Sequence, residues 1–396
     1  MRTARGRLVA ALTRRFGVAH LALAETAVQE ASLRAVERWA ADGAPADPEG
    51  WLLRVAHNHV VDTLRHDRRS VALADDHVGA APPPAPELDD ELRLIFLCCH
   101  PVLPRAAQIA LTLRIGHGFT TAQIARAFLS DPRTIAQRIV RAKQRLRDEA
   151  VRFELPEPAE LPARLAAILD VVYQIFTEGH ATTDGDGIDD ALCGESLRLA
   201  RLITDDARLT TPAAEALRAL CCFHVARATA RRADDGGLLL LHEQDRARWD
   251  AALLAEGFAF LAQSARGAEA SRFHLEAGIA AHHAAAPSHA ATDWPQILYL
   301  YDRLRALAPS PVVDVNRALA VAMVGGAHAG LDELDAIPER DVVDRYPYAH
   351  AAYAELHASL GQLDLARGHL DRALAHQPSP AERALLARKR AALGRP

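Results

Sequence analysis

Cysteine, lysine, aromatic residues and long apolar runs are all scarce in this chain, and each scarcity removes a class of protein. The five cysteines fall as the adjacent pairs Cys98, Cys99 and Cys221, Cys222 plus Cys193, all inside apolar helical patterns. They do not form the spaced framework of a disulfide-stapled domain, so a compartment that keeps thiols reduced, the cytoplasm, is expected. Aromatics make up only 5% of the residues, which argues against a β-sandwich. No apolar run reaches the roughly 18 residues of a spanning helix. The cationic stretch Met1 to Phe16 lacks a continuous apolar core and a cleavage-type end, so neither membrane insertion nor export is expected. A Gly-rich phosphate loop, a nucleophile elbow and a paired-carboxylate signature are all missing, so we expect no enzyme, no catalytic residue and no cofactor.

What remains is a chain of 396 residues, 50% hydrophobic and 24% charged, long enough for two or three domains. This composition suits an all-α protein. The formal charge of −5 hides an asymmetry. Residues 105–147 carry nine basic side chains against one acidic, whereas residues 148–396 carry 25 against 36. A strongly cationic segment inside an acidic protein is the electrostatic footprint of phosphate binding. Lys143 and Lys389 are the only lysines, so nearly all of this charge is arginine.

Apolar residues recur three and four apart from Arg7 to Trp39 (Leu8, Leu12, Phe16, then Val28, Leu33, Val36), which predicts helices with one buried face. After a Gly- and Pro-containing break at 41–48, a run from Glu49 to Arg69 turns Trp51, Leu52, Val55, Val60 and Leu64 towards a core. Its other side offers Arg54, His57, Asn58 and Arg65. The Pro-rich acidic stretch within 72–90 reads as a linker. Helical pattern resumes at Glu91 and continues to Arg147, 153–162 reads as a second linker, and 163–396 forms a further helical body. Near its end Gly361, Ala366, Ala373 and Pro378 fall at tetratricopeptide spacing, and residues 304–309 with Gly326 repeat part of that pattern.

The strongest local signal lies at 120–147. Thr120 and Gln123 make a capping box that opens a helix burying Ile124, Ala125 and Phe128, and Leu129 and Ser130 form a turn. Asp131 is a good N-cap and Pro132 suits the first position of a second helix, which runs to about Arg147. This is a helix-turn-helix with its second helix in the recognition position. Ile135, Ile139, Ala142 and Leu146 form the buried stripe, leaving Arg133, Thr134, Gln137, Arg138, Arg141 and Arg145 on the open face. Arg grips guanine edges and Gln adenine edges, while Arg and Lys also contact phosphates. Thr120, Thr121 and Lys143 complete the candidate DNA-binding set.

Together these residues resemble the extracytoplasmic-function branch of the bacterial sigma-70 family, in the group with a long tetratricopeptide-like C-terminal extension. Residues 120–147 match its minus-thirty-five-binding domain. AVQEASLRAVERW (27–39) and GWLLRVAHNHVVDTLRHDRR (50–69) look like its minus-ten domain. The extension is matched by LRLIFLCCHP (92–101), VVYQIFTEGH (171–180), EQDRARWD (243–250), TDWPQILYLYDRL (292–304) and SPVVDVNRALAVAM (310–323). The resemblance implies two small helical sigma domains, region 2 over 1–71 and the helix-turn-helix region 4 over 91–152, followed by a helical regulatory extension. It implies binding to core RNA polymerase, on the β′ clamp helices and β flap, and to promoter DNA. Gln29, Glu30 and Arg34 would face the clamp, and Trp51, Arg54, His57, Asn58 and Arg65 would approach the minus-ten strand, with a flipped base held at loop 42–48. The extension would be needed for activity and would contact the sigma core or another protein. Glu25 with Thr26, His57 and Leu129 stand where the family pattern has other residues.

Two other readings compete: an operator-binding regulator that works without polymerase, and a helical-repeat scaffold with a vestigial DNA-binding module. The N-terminal pair of segments discriminates, since a simple regulator does not need it. Adjacent Cys98 and Cys99 beside His100 would point about 100° apart on a helix with no second ligand pair, so a buried helix end is expected and no metal. Asp184, Asp186 and Glu195 mimic a calcium loop, but Ile188 and Asp189 occupy a ligand and a glycine position, which favours an acidic connector. His282 and His283 lie among histidines scattered on Ala-rich helices and suggest no pH sensor.

Overall fold

A computed structural model describes residues 2–70, 88–116, 118–127, 130–180, 190–233, 237–267, 269–338, 340–376 and 380–394. Every regular element among them is helical, and the extended contact between Arg232 and Leu238 is an isolated antiparallel bridge. Most of the Pro-rich stretch, the turn residue Leu129, Asp184, Asp186 and Pro378 lie outside the described residues. The chain divides into two compact units, 1–171 and 172–396.

The first unit holds α1 (Arg2–Phe16), α2 (Leu21–Asp42), α3 (Pro48–Ser70), α4 (Leu88–Cys98), α5 (Arg105–Leu111), α6 (Thr121–Ala127) and α7 (Pro132–Asp148). A π-helical turn, Thr112–Gly116, extends α5. The one-faced pattern expected of α1 is not what the structure shows: Leu8, Val9, Ala10, Ala11, Leu12 and Thr13 are buried in succession. α1 packs on α2, α3, α4 and the π turn, so it is the shared core of both halves of the unit. Periodicity within one segment cannot register a second layer supplied by residues a hundred positions away. Gly6 makes the approach feasible, because a Cβ there would stand 2.5 Å from the Gly116 carbonyl oxygen.

Two further expectations are corrected. Leu33 and Val36, assigned to the core, are 55% and 61% exposed, since α2 buries Ala24, Ala27, Val28, Ala31 and Ala35 instead. The small alanines let α2 approach its neighbours closely, and the buried face is rotated away from the larger side chains. The fourth helix begins at Leu88, ahead of Glu91. Its first turn carries Asp89, Asp90 and Glu91, where carboxylates favour the positive end of the helix dipole. Asp90 is buried and pairs with Arg14 at 3.4 Å and Arg93 at 3.1 Å. Cys98 and Cys99 are buried at the end of α4, Cys99 within 3.6 Å of the Thr112 hydroxyl.

Helix α8 (Leu161–His180) crosses the boundary between units. Its first half belongs to the first unit: Arg164 donates to the Phe96 carbonyl at 2.8 Å and Asp170 pairs with Arg105 at 3.1 Å. The second unit continues with α9 (Asp190–Thr204), α10 (Pro212–Val225), α11 (Ala251–Ser264) and α12 (Arg272–Ala285). Capped by Thr211, α10 is buried from Ala214 to Phe223 among α9, α11 and α12. Beyond lie α13 (Trp294–Leu307), α14 (Pro311–Gly325), α15 (Ala327–Asp335), α16 (Arg340–Val343), α17 (Pro347–Ser359), α18 (Leu363–Ala375) and α19 (Pro380–Ala392). α14 pairs with α15, and α17 with α18. Gly326 and Gly361, at φ of 90° and 74°, turn these two hairpins at about one 34-residue repeat length from each other. Ala366 and Ala373 are buried in the second pair.

Candidate nucleic-acid and polymerase interface

The recognition helix forms for the local reasons its sequence carries. Thr120 Oγ1 accepts from the Gln123 backbone N–H at 3.1 Å, and Gln123 Oε1 accepts from the Thr120 N–H at 2.9 Å, closing a reciprocal cap on α6. Asp131 Oδ1 accepts from the N–H groups of Arg133 and Thr134 at 2.8 and 3.3 Å, with Pro132 next in line. Ile135, Ile139, Ala142 and Leu146 are buried. Thr120, Arg133, Thr134, Gln137, Arg141 and Arg145 are exposed, and Thr121 and Arg138 half-buried. Among the described residues no carboxylate pairs with Arg133, Arg138, Arg141 or Arg145, although Arg147 does pair with Asp148. The face is therefore cationic and uncompensated, a surface suited to polyanion. Val140 is 63% exposed beside Gln137 and Arg141, and its apolar character gave no sign of a DNA-facing role; an apolar group there can meet a thymine methyl.

Lys143 behaves differently. It turns inward to Glu25 of α2, which also takes Arg114 Nε at 2.6 Å and Arg5 Nη2 at 3.3 Å. Burial works against the charged form of Glu25, but Lys143, Arg114 and Arg5 outweigh it and hold the carboxyl below its ordinary range. One carboxylate thus ties together α1, α2, the π turn and α7. No local pattern could disclose a contact between positions 118 apart.

On α3, Arg54, Asn58 and Arg65 are exposed along one side, and Trp51 is half-buried, edge-on to Trp39 at 5.5 Å. His57 lies on the other side, buried against Phe16 at 5.4 Å, its pKa lowered by burial. Arg34 joins Asn58 in lining a recess of about 390 Å³, whose other walls are His59, Asp62, Thr63 and His66. Asn58, Asp62 and His66, four apart on α3, are a signal that was available and overlooked. Gln29 and Arg34 are exposed on α2, and Arg34 pairs with half-buried Glu30 at 3.1 Å.

Comparison with known proteins gives the family. The sigma-70 region 2 family matches residues 1–70 and the sigma-70 region 4 family matches residues 93–146. Residues 164–265 match a family of unknown function, DUF6596. The chain belongs to the sigma-70 family, as an extracytoplasmic-function type with a C-terminal extension. An uncharacterized protein of Rhizobium meliloti (strain 1021) is 38% identical over 362 residues, covering 88% of this chain and 84% of that protein. No solved structure matches.

In this sigma factor, region 2 therefore comprises α1 to α3 and region 4 comprises α4 to α7. The family assignment carries a role in promoter recognition, with core RNA polymerase and promoter DNA as partners. Sigma-70 proteins are transcription factors rather than enzymes. No helix among the described residues is long and apolar enough to cross a membrane. The sigma factor's region 2 surface also carries exposed Leu33 and Val36 beside Gln29 and Arg34, an apolar pair with a polar rim.

Proposed function

We propose that this sigma factor docks the outer face of α2, centred on Leu33 and Val36 with Gln29, Glu30 and Arg34 around them, on the β′ clamp helices of core polymerase. Region 2 then offers Trp51, Arg54, Asn58 and Arg65 to the minus-ten strand, with loop 42–48 for a flipped base. Region 4 presents Thr120, Thr121, Arg133, Thr134, Gln137, Arg138, Arg141 and Arg145 to minus-thirty-five duplex, while its body meets the β flap. The observation that carries this reading is the uncompensated cationic face of α7 opposite its buried Ile135, Ile139, Ala142, Leu146 stripe.

Promoter engagement also requires opening. Elements roughly 25 base pairs apart stand about 85 Å from each other along B-form DNA at about 3.4 Å per pair. A compact body of 171 residues is roughly 40 Å across. Both readers cannot reach their elements while α1 and Glu25 hold the regions together, so polymerase binding separates them and releases Lys143 and His57 towards DNA. The extension, with 36 acidic against 25 basic side chains beyond residue 147, supports activity through its own contacts, including a protein partner.

Co-purification with core polymerase tests the docking face. The wild-type chain is expected to bind, and Leu33→Glu and Arg34→Glu to weaken binding. Equal binding by both variants would show that the face is elsewhere, and a wild-type chain that does not bind would end the reading.

A further inference from the structure

The second unit carries a partly open cavity of about 610 Å³, the size of a small-molecule site. Three segments by which the extension resembles its group line it, and a fourth lies behind its wall. Tyr173 and Thr177 come from VVYQIFTEGH, Tyr301 and Leu304 from TDWPQILYLYDRL, and Ser310 and Asn316 from SPVVDVNRALAVAM. The fourth, EQDRARWD, supplies Arg246 and Trp249 just behind the wall formed by Arg227 and His283. Promoter recognition uses none of these residues.

The charges in this wall are unbalanced. Arg227 Nε donates to the Gln244 side-chain oxygen at 3.2 Å, and its guanidinium lies 5.4 Å from the centre of the Trp249 ring. No carboxylate among the described residues pairs with Arg227 or with Arg246. Arg246 donates from Nη1 to the His283 carbonyl at 2.6 Å, while its buried Nη2 and the buried His283 Nδ1 have no hydrogen-bond partner among the described residues. Burial and the neighbouring Arg231 and Arg246 press the Arg227 guanidinium down to about 9. His283 is pushed to about 3 by burial and by Arg227, His289 and Arg246, so it stays neutral. Half-buried cations with no counter-charge among the described residues are costly, and an anion in the cavity would satisfy them. At another part of the lining Tyr173 Oη donates to Glu276 Oε1 at 2.9 Å, and burial raises the Glu276 carboxyl to about 7. Leu220 and Ile279 add apolar wall.

We propose that the cavity binds a small organic oxyanion with a partly apolar body, its carboxylate or phosphate on Arg227 and a hydroxyl or amide of the body on Glu276 and Tyr173. Guanidinium pairs with either acid group through two parallel hydrogen bonds. In its charged form Glu276 would repel a second negative charge at its end, which favours one acid group per ligand.

The test uses the full chain without polymerase or DNA, so its outcome is independent of the promoter-binding reading. Anilinonaphthalene sulfonate serves as a fluorescent anionic probe, competed by octanoate, octyl phosphate or octylamine. We expect one saturable site, displaced by octanoate or octyl phosphate and not by octylamine; the better competitor identifies the acid group. Arg227→Gln should weaken the displaceable binding about tenfold or more, as loss of a charge-assisted contact does. Ala280→Leu, which narrows the cavity and leaves the guanidinium in place, should weaken it as well, and decides the matter should Arg227→Gln fail to fold. Absence of displaceable binding, equal competition by octylamine, or unchanged affinity in a folded variant of either kind would overturn the site.

Discussion

Arg138 and Arg141 stand one helical turn apart on α7, with Arg138 half-buried and Arg141 open, and neither is neutralised by a carboxylate among the described residues. A base-reading Arg and a phosphate-gripping Arg are separable by the way their removal acts. If either is bidentate to guanine, its Ala variant loses about 1–3 kcal/mol and relaxes one promoter position; a phosphate contact instead weakens all sequences alike and flattens the salt dependence. Binding profiles of Arg138→Ala and Arg141→Ala over promoter variants and salt should show one pattern or the other. Profiles equal to wild type in both respects would remove these residues from the interface. In the second unit, Glu256 accepts from Arg201 Nε at 2.9 Å and Arg218 Nε at 2.8 Å. The hydrogen bonds from Arg201 lead in pulling its pKa down to about 2. A folded-state pKa below the unfolded one contributes stability that is complete above the ordinary value of 4.5 and is lost as pH falls towards 2. Unfolding midpoints of wild type should drop across that window more than those of Glu256→Gln, and parallel curves would contradict the assignment.

At the scale of the element, the helix-turn-helix was legible because its determinants are local: a capping box, an Asp-Pro start and a four-three-four apolar stripe all act within a few residues. The hairpin glycines Gly326 and Gly361 were legible for the same reason. What escaped was set by distant partners. The burial of six successive residues of α1, the exposure of Leu33 and Val36 and the inward turn of Lys143 and His57 each depend on which helix lies opposite, and that is not encoded in the period of a single segment. Arg227 gave no signal at all, because nothing in its neighbourhood along the chain marks it as lacking a counter-charge. The α1 clasp is itself testable. Gly6→Val would drive a branched side chain into the Gly116 carbonyl, whose backbone cannot step aside, and should destabilise the first unit by about 1–3 kcal/mol. Denaturant midpoints read this directly, and an unchanged midpoint would mean that α1 does not bridge the two sigma regions.

The whole molecule joins a DNA-reading unit, closed around α1 and Glu25, to a helical extension with a cavity of its own. The boundary between them falls inside α8, whose first half buries Leu165, Ile168 and Leu169. Removing everything after Arg152 would strip that core along with Arg164 and Asp170, so a truncation aimed at the extension is better placed after His180. The central claim is that this chain directs core RNA polymerase to promoters. The most direct measurement is in vitro transcription by core polymerase over a promoter library, with the full-length chain, with its His180 truncation checked for folding, and without either. The account predicts transcripts from a defined subset of promoters only when the full-length chain is present, and markedly fewer with the truncated one. Equal or higher output from a folded truncation would contradict the supporting role of the extension, and no promoter-dependent transcript from the full-length chain bound to polymerase would contradict the central claim itself.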